Sequence, residues 1–147
     1  MASFVYTPAK KKLGDADFDW AVLDIRLLLV MTNTTAHTDK DAATLTAIGT
    51  LDEYDGANYV RKALATQIVN QDDANDRAEF DADDVVWTAL GLGTRQCKAV
   101  VAFCYVDGTA ANDWPIAYLD NAPELPFWGN GSDETAAFNI EGILQLT

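Results

Sequence analysis

Residues 21–31 read AVLDIRLLLVM and carry the clearest repeat in the chain. Every second residue on one face of an extended strand would be apolar: Leu23, Ile25, Leu27, Leu29 and Met31. The opposite face begins polar, with Asp24 and Arg26, and then turns apolar. We therefore predict a β-strand that starts exposed and becomes buried on both faces. A helix is allowed by the length, but it fits the alternation less well.

A second buried strand is predicted at residues 98–106 (KAVVAFCYV), which are apolar on both faces, as in the centre of a sheet. Residues 114–120 (WPIAYLD) follow a turn signal and read as its hairpin partner. Residues 59–69 fit either a helix or a strand. Further short strands are predicted at residues 78–81, 84–90, 136–140 and 143–146, with Gly142 where a bulge would fall.

A long loop is predicted at residues 32–56, which are rich in Thr, Ala and Asp and have only a weak repeat. One short strand near residues 44–48 would interrupt it. Loops of this length in compact domains are often functional or mobile, so this segment is a candidate contact region.

Short strands separated by turns, with no run of long helices, indicate an all-β fold. We predict one β-sandwich or Greek-key-like domain over residues 1–147, with no linker and no internal repeat. Residues 1–16 would form an extended N-terminal arm. Residues 17–147 would form the sandwich core.

The charge of the chain narrows the function classes. It has 23 acidic and 10 basic residues, a net charge of −13, and yet 49% of it is hydrophobic. A surface with this much negative charge repels phosphate backbones and anionic lipid. We therefore expect neither nucleic-acid nor membrane binding. No signal-peptide pattern or membrane-length apolar run is visible, which favours synthesis in a reducing cytosol. Cys97 and Cys104 are then expected to be free thiols in the core.

The sequence offers little for catalysis or metal binding. It has one histidine, His37, in a polar loop where an exposed side chain is expected, and no nucleophile or phosphate-loop motif. Asp15, Asp17 and Asp19 have the spacing of a calcium loop, but Trp20 replaces its glycine and Arg26 its glutamate. We therefore predict no catalytic residue, no cofactor and no metal. An irregular cation site stays open as an alternative.

Two groups of residues are candidates for partner contact. Phe127 and Trp128 lie in a loop between prolines and glycines, where a partner could cover them. Alternatively, they cap the end of the core. The only basic cluster, Lys10-Lys11-Lys12, follows the aromatic residues Phe4 and Tyr6. We predict that this basic segment docks on an acidic partner surface, with the aromatic residues as anchors.

Residues 77–96 (RAEFDADDVVWTALGLGTRQ), the strand KAVVAFCYV, the segment WPIAYLD and the closing GNGSDETAAFNIEGILQLT resemble a set of tailed-bacteriophage virion proteins. The likeness covers most of residues 17–147. It implies a head decoration (cement) protein that binds the major capsid protein on the outer face of the capsid. It also implies no enzymatic activity, synthesis in the host cytoplasm and a homo-oligomer, either a trimer or a dimer, on the virion.

Two alternatives remain open. One is another virion role, as a component of the tail, the baseplate or a head fibre. The other is a carbohydrate-binding β-sandwich, suggested by Trp114, Trp128 and the acidic residues near them.

Overall fold

The computed structural model describes residues 3–138 and 141–147, which form three antiparallel sheets and one short α-helix. This confirms the predicted all-β, single-domain fold. The strands are β1 (Phe4–Val5), β2 (Ile25–Met31), β3 (Lys62–Ala63), β4 (Ile68–Asp72), β5 (Arg77–Asp81), β6 (Val85–Trp87), β7 (Cys97–Cys104), β8 (Trp114–Leu119), β9 (Glu134–Ala136) and β10 (Leu144–Leu146). Helix α1 spans Thr7–Gly14, and a 3₁₀ helix spans Leu45–Ala47. No helix in the described part of the chain is long and apolar enough to cross a bilayer.

The largest sheet has five strands in the order β1-β8-β7-β2-β3. Its centre is the antiparallel pair of β2 and β7, in which Leu28 lies opposite Val101. Both strands are almost fully buried, because their apolar residues occupy both faces. The hairpin of β7 and β8 is also as predicted, with Val101 opposite Tyr118.

The N-terminal segment differs from the prediction, because it is built into the fold and does not form an extended arm. β1 pairs with β8, so that Phe4 lies opposite Tyr118. Residues Thr7–Gly14 form α1, which has Pro8 at its beginning and lysines in its last turn, where they suit the helix dipole. Tyr6 and Ala9 are fully buried. The described part of residues 1–16 is therefore one edge of the domain.

The long loop after β2 covers one part of the core. Its short regular element is the 3₁₀ helix Leu45–Ala47, so the strand predicted near residues 44–48 is wrong. The Leu45 N–H donates to the carbonyl of Asp113 and the Ile48 N–H to that of Leu45, a local turn that a strand could not make. Leu45 and Ile48 are buried, so this loop is anchored by packing.

The other strands form two small sheets, one in the order β10-β5-β4 and one that pairs β6 with β9. The ambiguous residues 59–69 contain β3 and the start of β4. The predicted strand at 143–146 is confirmed as β10. The strand predicted at 136–140 overlaps β9 only at Ala136, and residues 139–140 lie outside the described residues.

Aromatic side chains join the five-stranded sheet to the three-stranded sheet. Phe18, between α1 and β2, packs edge-on against Trp114 of β8 at 5.6 Å between ring centroids. It also stacks on Phe80 of β5 at 6.5 Å. The neighbouring Trp20 indole N–H donates to the Asp81 carbonyl at 2.9 Å. The two sheets thus share one core, as expected for a sandwich-like domain.

Candidate functional site

The three lysines predicted to contact a partner lie on α1, where their surroundings differ. Lys10 is exposed. Lys11 forms an ion pair with Asp15, one helical turn later. The Lys12 ammonium lies over the ring of Trp114, 5.0 Å from its centroid. Because two of these charges have partners within the domain, the cluster is not a free basic patch.

The two aromatic residues predicted as anchors are held by β8 and by the long loop. Phe4 stacks on Tyr118 with a centroid distance of 5.5 Å, and the Lys40 ammonium lies 4.9 Å from the centre of the Phe4 ring. The Tyr6 hydroxyl donates to the carbonyl of Ala36 at 2.9 Å. Tyr6 has no exposed surface, so it supports the fold and cannot touch a partner. Phe4, which is half-buried, keeps an accessible part.

The structure separates Phe127 from Trp128. Phe127 is half-buried and pairs with Cys97 through two backbone hydrogen bonds of 2.8 and 3.0 Å. Trp128 is 48% exposed. An exposed tryptophan on a segment fixed by its neighbour is a favourable contact residue, because it has little conformational entropy to lose on binding. Trp114, by contrast, is only 8% exposed, so the two tryptophans do not form a common sugar-binding surface.

A cavity of about 340 Å³ lies between the five-stranded sheet and the β6–β9 pair. Its walls are mainly apolar and include Leu29, Trp87, Val100, Leu119 and Phe127. Glu134 and Glu124 also line it. Burial raises the pKa of the Glu134 carboxyl, and the negative charge of Glu124 raises it further. This volume is near the lower limit of ligand pockets, so the cavity has room for one small apolar group.

A further exposed apolar surface, which the sequence patterns do not predict, lies on the three-stranded sheet. One face carries the row Val69, Phe80 and Leu144, and Phe80 packs into the core. The next row on the same face contains Ala78 and Leu146. Val69 is 47% and Leu146 53% exposed, so this face continues from the core into solvent. The signal in the sequence was the apolar pair Ile68-Val69 directly before the polar turn at residues 70–76.

All four arginines are paired with carboxylates. Arg61 binds Glu53 with two hydrogen bonds of 2.7 and 2.8 Å, the strong bidentate arrangement. Arg77 contacts Asp72 at 3.0 Å and Glu79 at 2.9 Å. The other two pairs are Arg26 with Asp24 and Arg95 with Asp52. Because the arginine charges are balanced by neighbouring carboxylates, the electric field outside the domain is negative.

The groups that could carry chemistry are dispersed. Within residues 3–138 and 141–147, no three His, Cys, Asp or Glu side chains are grouped as metal ligands would be. His37 is half-buried, contrary to the expected exposure, and its Nδ1 lies 3.3 Å from the Lys98 ammonium. Cys97 and Cys104 are free and buried, as predicted. Burial raises their thiol pKa values to about 12 and about 11, so both stay protonated at neutral pH.

Comparison with protein families, curated proteins and solved structures finds no match to this chain.

Proposed function

We propose that this protein is a structural component of a tailed-bacteriophage virion, which binds the outer face of the major capsid protein and stabilises the head. The observation that carries the proposal is the resemblance of most of residues 17–147 to virion proteins of this kind. The protein acts by binding, and no catalytic group is assigned to it. Its place is the capsid surface after synthesis in the host cytoplasm.

The distribution of charge supports a position on the outside of the shell. The domain carries a net charge of −13, and its arginines are already paired with carboxylates. A protein inside the shell would meet the genome, whose phosphates such a surface repels. On the outer face this repulsion is absent, and the charge keeps the free subunit soluble before it binds.

The exposed apolar side chains support binding to a protein lattice. Trp128 and the exposed part of the apolar face of the three-stranded sheet, with Val69 and Leu146, are separate contact patches on one domain. Separate patches let one subunit touch more than one neighbour in the lattice. Many copies, as dimers or trimers, would then stabilise the shell through repeated moderate contacts.

The direct test is to mix the purified protein with undecorated capsids and to measure the bound protein by co-sedimentation. We expect saturation at a fixed number of copies for each lattice position. A tail, baseplate or head-fibre component would instead appear in far fewer copies in a particle reconstruction. Absence of saturable binding to the capsids contradicts the proposal.

The contribution of Trp128 is tested in the same assay. Trp128→Ala should weaken capsid binding by about tenfold, because truncation of an aromatic anchor in an interface costs roughly 1–2 kcal/mol or more of binding free energy. Val22→Ala is the matched control, since Val22 is 76% exposed and no contact is proposed for it. Equal binding of the two variants would remove Trp128 from the interface.

A further inference from the structure

The strand β4 (Ile68–Asp72) lies at the end of the sheet order β10-β5-β4 and pairs with β5 on one side only. On its other side, no strand of the described residues pairs with it. Residues 68–71 are exposed. Alternate N–H and C=O groups of this strand therefore point into solvent, where they can bind another strand.

This edge has few of the features by which proteins usually block such pairing, since its one charged residue, Asp72, stands at the end of the strand. Its sequence, IVNQD, has no lysine or proline, and the register with β5 runs without a bulge from Ile68 to Asp72. The five-stranded sheet, in contrast, ends in β1 and β3, which have two residues each. A short edge is a poor template for pairing, whereas a regular five-residue edge is a good one.

The charges around β4 define the chemistry of its partner. The turn after the strand contains Asp73 and Asp76, which are exposed. Arg77, which lies opposite Asp72 in the pairing of β4 with β5, is already bound by Asp72, Glu79 and Glu141. A second copy of this chain would bring its own exposed Asp73 and Asp76 to this edge, and this local approach of like charges is unfavourable. A positively charged segment of a different protein complements the edge.

We propose that β4 binds an extended, positively charged segment of another protein, which adds a strand to the edge of the three-stranded sheet. Backbone hydrogen bonds to residues 68–72 would hold the segment. An apolar side chain of the segment would lie against Val69 on the apolar face of the three-stranded sheet, and basic side chains would lie near Asp73 and Asp76. The inference rests on the proposed function in one respect, namely that the segment belongs to the capsid protein.

The experiment uses the full chain and a synthetic probe peptide with the sequence TKVKVKVT, blocked at both ends. Binding is measured by fluorescence anisotropy and mapped by ¹H–¹⁵N NMR spectra. We expect saturable binding, with the largest shifts in the amides of residues 68–72. A peptide with glutamate in place of each lysine should bind at least about tenfold more weakly, because its charge has the same sign as Asp73 and Asp76 beside the strand. A peptide with proline at its central valine should also bind more weakly, because it lacks an N–H donor.

Two matched lysine variants test whether the peptide binds at β4. Val69→Lys places a cation on the edge and should weaken binding of the basic peptide by about tenfold. Val106→Lys makes the same change at a residue that is 55% exposed in the turn after β7, and it should leave binding unchanged. Circular dichroism verifies that both variants are folded.

Three results would overturn the inference. The first is that the peptide shifts only the NMR signals of other strands, or shifts none at millimolar concentration. The second is that the two lysine variants bind the peptide equally well. The third is that the NMR signals of residues 68–72 shift when the protein concentration is raised without peptide. The last result would mean that a second copy occupies the edge. Because no capsid is present, failure here leaves the capsid-binding assay unaffected. If the protein binds the peptide but not the capsid, the inference that β4 binds a strand stands, and the capsid protein is excluded as its partner.

Discussion

The hydroxyl of Tyr54 connects three segments of the chain. It donates to the carbonyl of Gly91 at 2.8 Å and accepts the N–H groups of Gly93 and Gly129 at 3.0 and 3.1 Å. A Cβ atom at Gly129 would lie 2.2 Å from the Gly91 carbonyl oxygen, so only glycine allows this approach. The loop that presents Trp128 is therefore fixed to the core at its next residue.

Tyr54→Phe removes these three hydrogen bonds and leaves their partners without the hydroxyl. We expect the free energy of unfolding to fall by about 1–3 kcal/mol, because buried donors and acceptors then lose their partner. Urea denaturation measures the change.

The control is Tyr105→Phe, since the Tyr105 hydroxyl has no hydrogen bond among the described residues and its ring mainly faces Arg26. If both variants lose the same stability, the hydroxyl of Tyr54 does not hold the three segments together.

The exposure of single residues was only partly predictable from the sequence. Trp128 lies between turn residues, and its exposure follows from that setting. Tyr6 has a similar setting, close to a proline and three lysines, and yet it is fully buried. Its burial depends on the distant segment around Ala36, whose carbonyl accepts its hydroxyl. A sequence pattern cannot report contacts across such a separation.

At the scale of elements, α1 and β1 close one edge of the five-stranded sheet. The signals of the helix were present, with Pro8 near its beginning and Gly14 at its end. The sequence nevertheless predicts an extended arm that carries the lysines between them, because a helix of eight residues has little repeat to detect. The strands β2, β7 and β8 were predictable since they are longer and carry continuous apolar patterns.

The position of β4 at a sheet edge was not predictable, although its apolar pair is visible in the sequence. Whether a strand is central or at an edge depends on which strands pair, and the partners of β5 are separated widely in the chain. The alternation of β4 itself is too short to distinguish the two cases. This is why the candidate edge site follows from the structure alone.

Deletion of residues 1–12 tests the corrected role of the N-terminal segment. We expect a large loss of thermal stability, because the deletion exposes β8 and removes the buried side chain of Tyr6. Burial of one large side chain contributes about 1.5–3 kcal/mol. Circular dichroism on heating measures the midpoint of unfolding.

Its control is the full chain with Lys10, Lys11 and Lys12 replaced by glutamine, which removes the charges and keeps the strand and the helix. We expect this variant to unfold within a few degrees of the original, since surface substitutions commonly change stability by about 0.5 kcal/mol or less. An unchanged midpoint in the deletion would show that the segment is a dispensable arm.

Two kinds of charge interaction compete across the domain. The local ion pairs, such as Arg61 with Glu53, stabilise the fold over short distances. The net charge of −13 acts over longer distances and favours expansion of the chain. Added salt distinguishes the local ion pairs from the long-range repulsion, because it screens distant charges strongly and close, partly buried pairs much less.

We therefore expect the midpoint of thermal unfolding to rise as sodium chloride increases from low concentration to roughly 0.5 M, where the screening length is only a few ångströms. A gain of about 1 kcal/mol corresponds to roughly 2–4 °C for a chain of this length. A matched variant, Asp41→Asn with Asp76→Asn and Glu124→Gln, removes three exposed negative charges in separate loops. Its midpoint should be higher at low salt and should respond less to added salt, because less repulsion remains to be screened. A midpoint that falls with salt would show instead that the ion pairs dominate, and the negative surface would then cost the fold little.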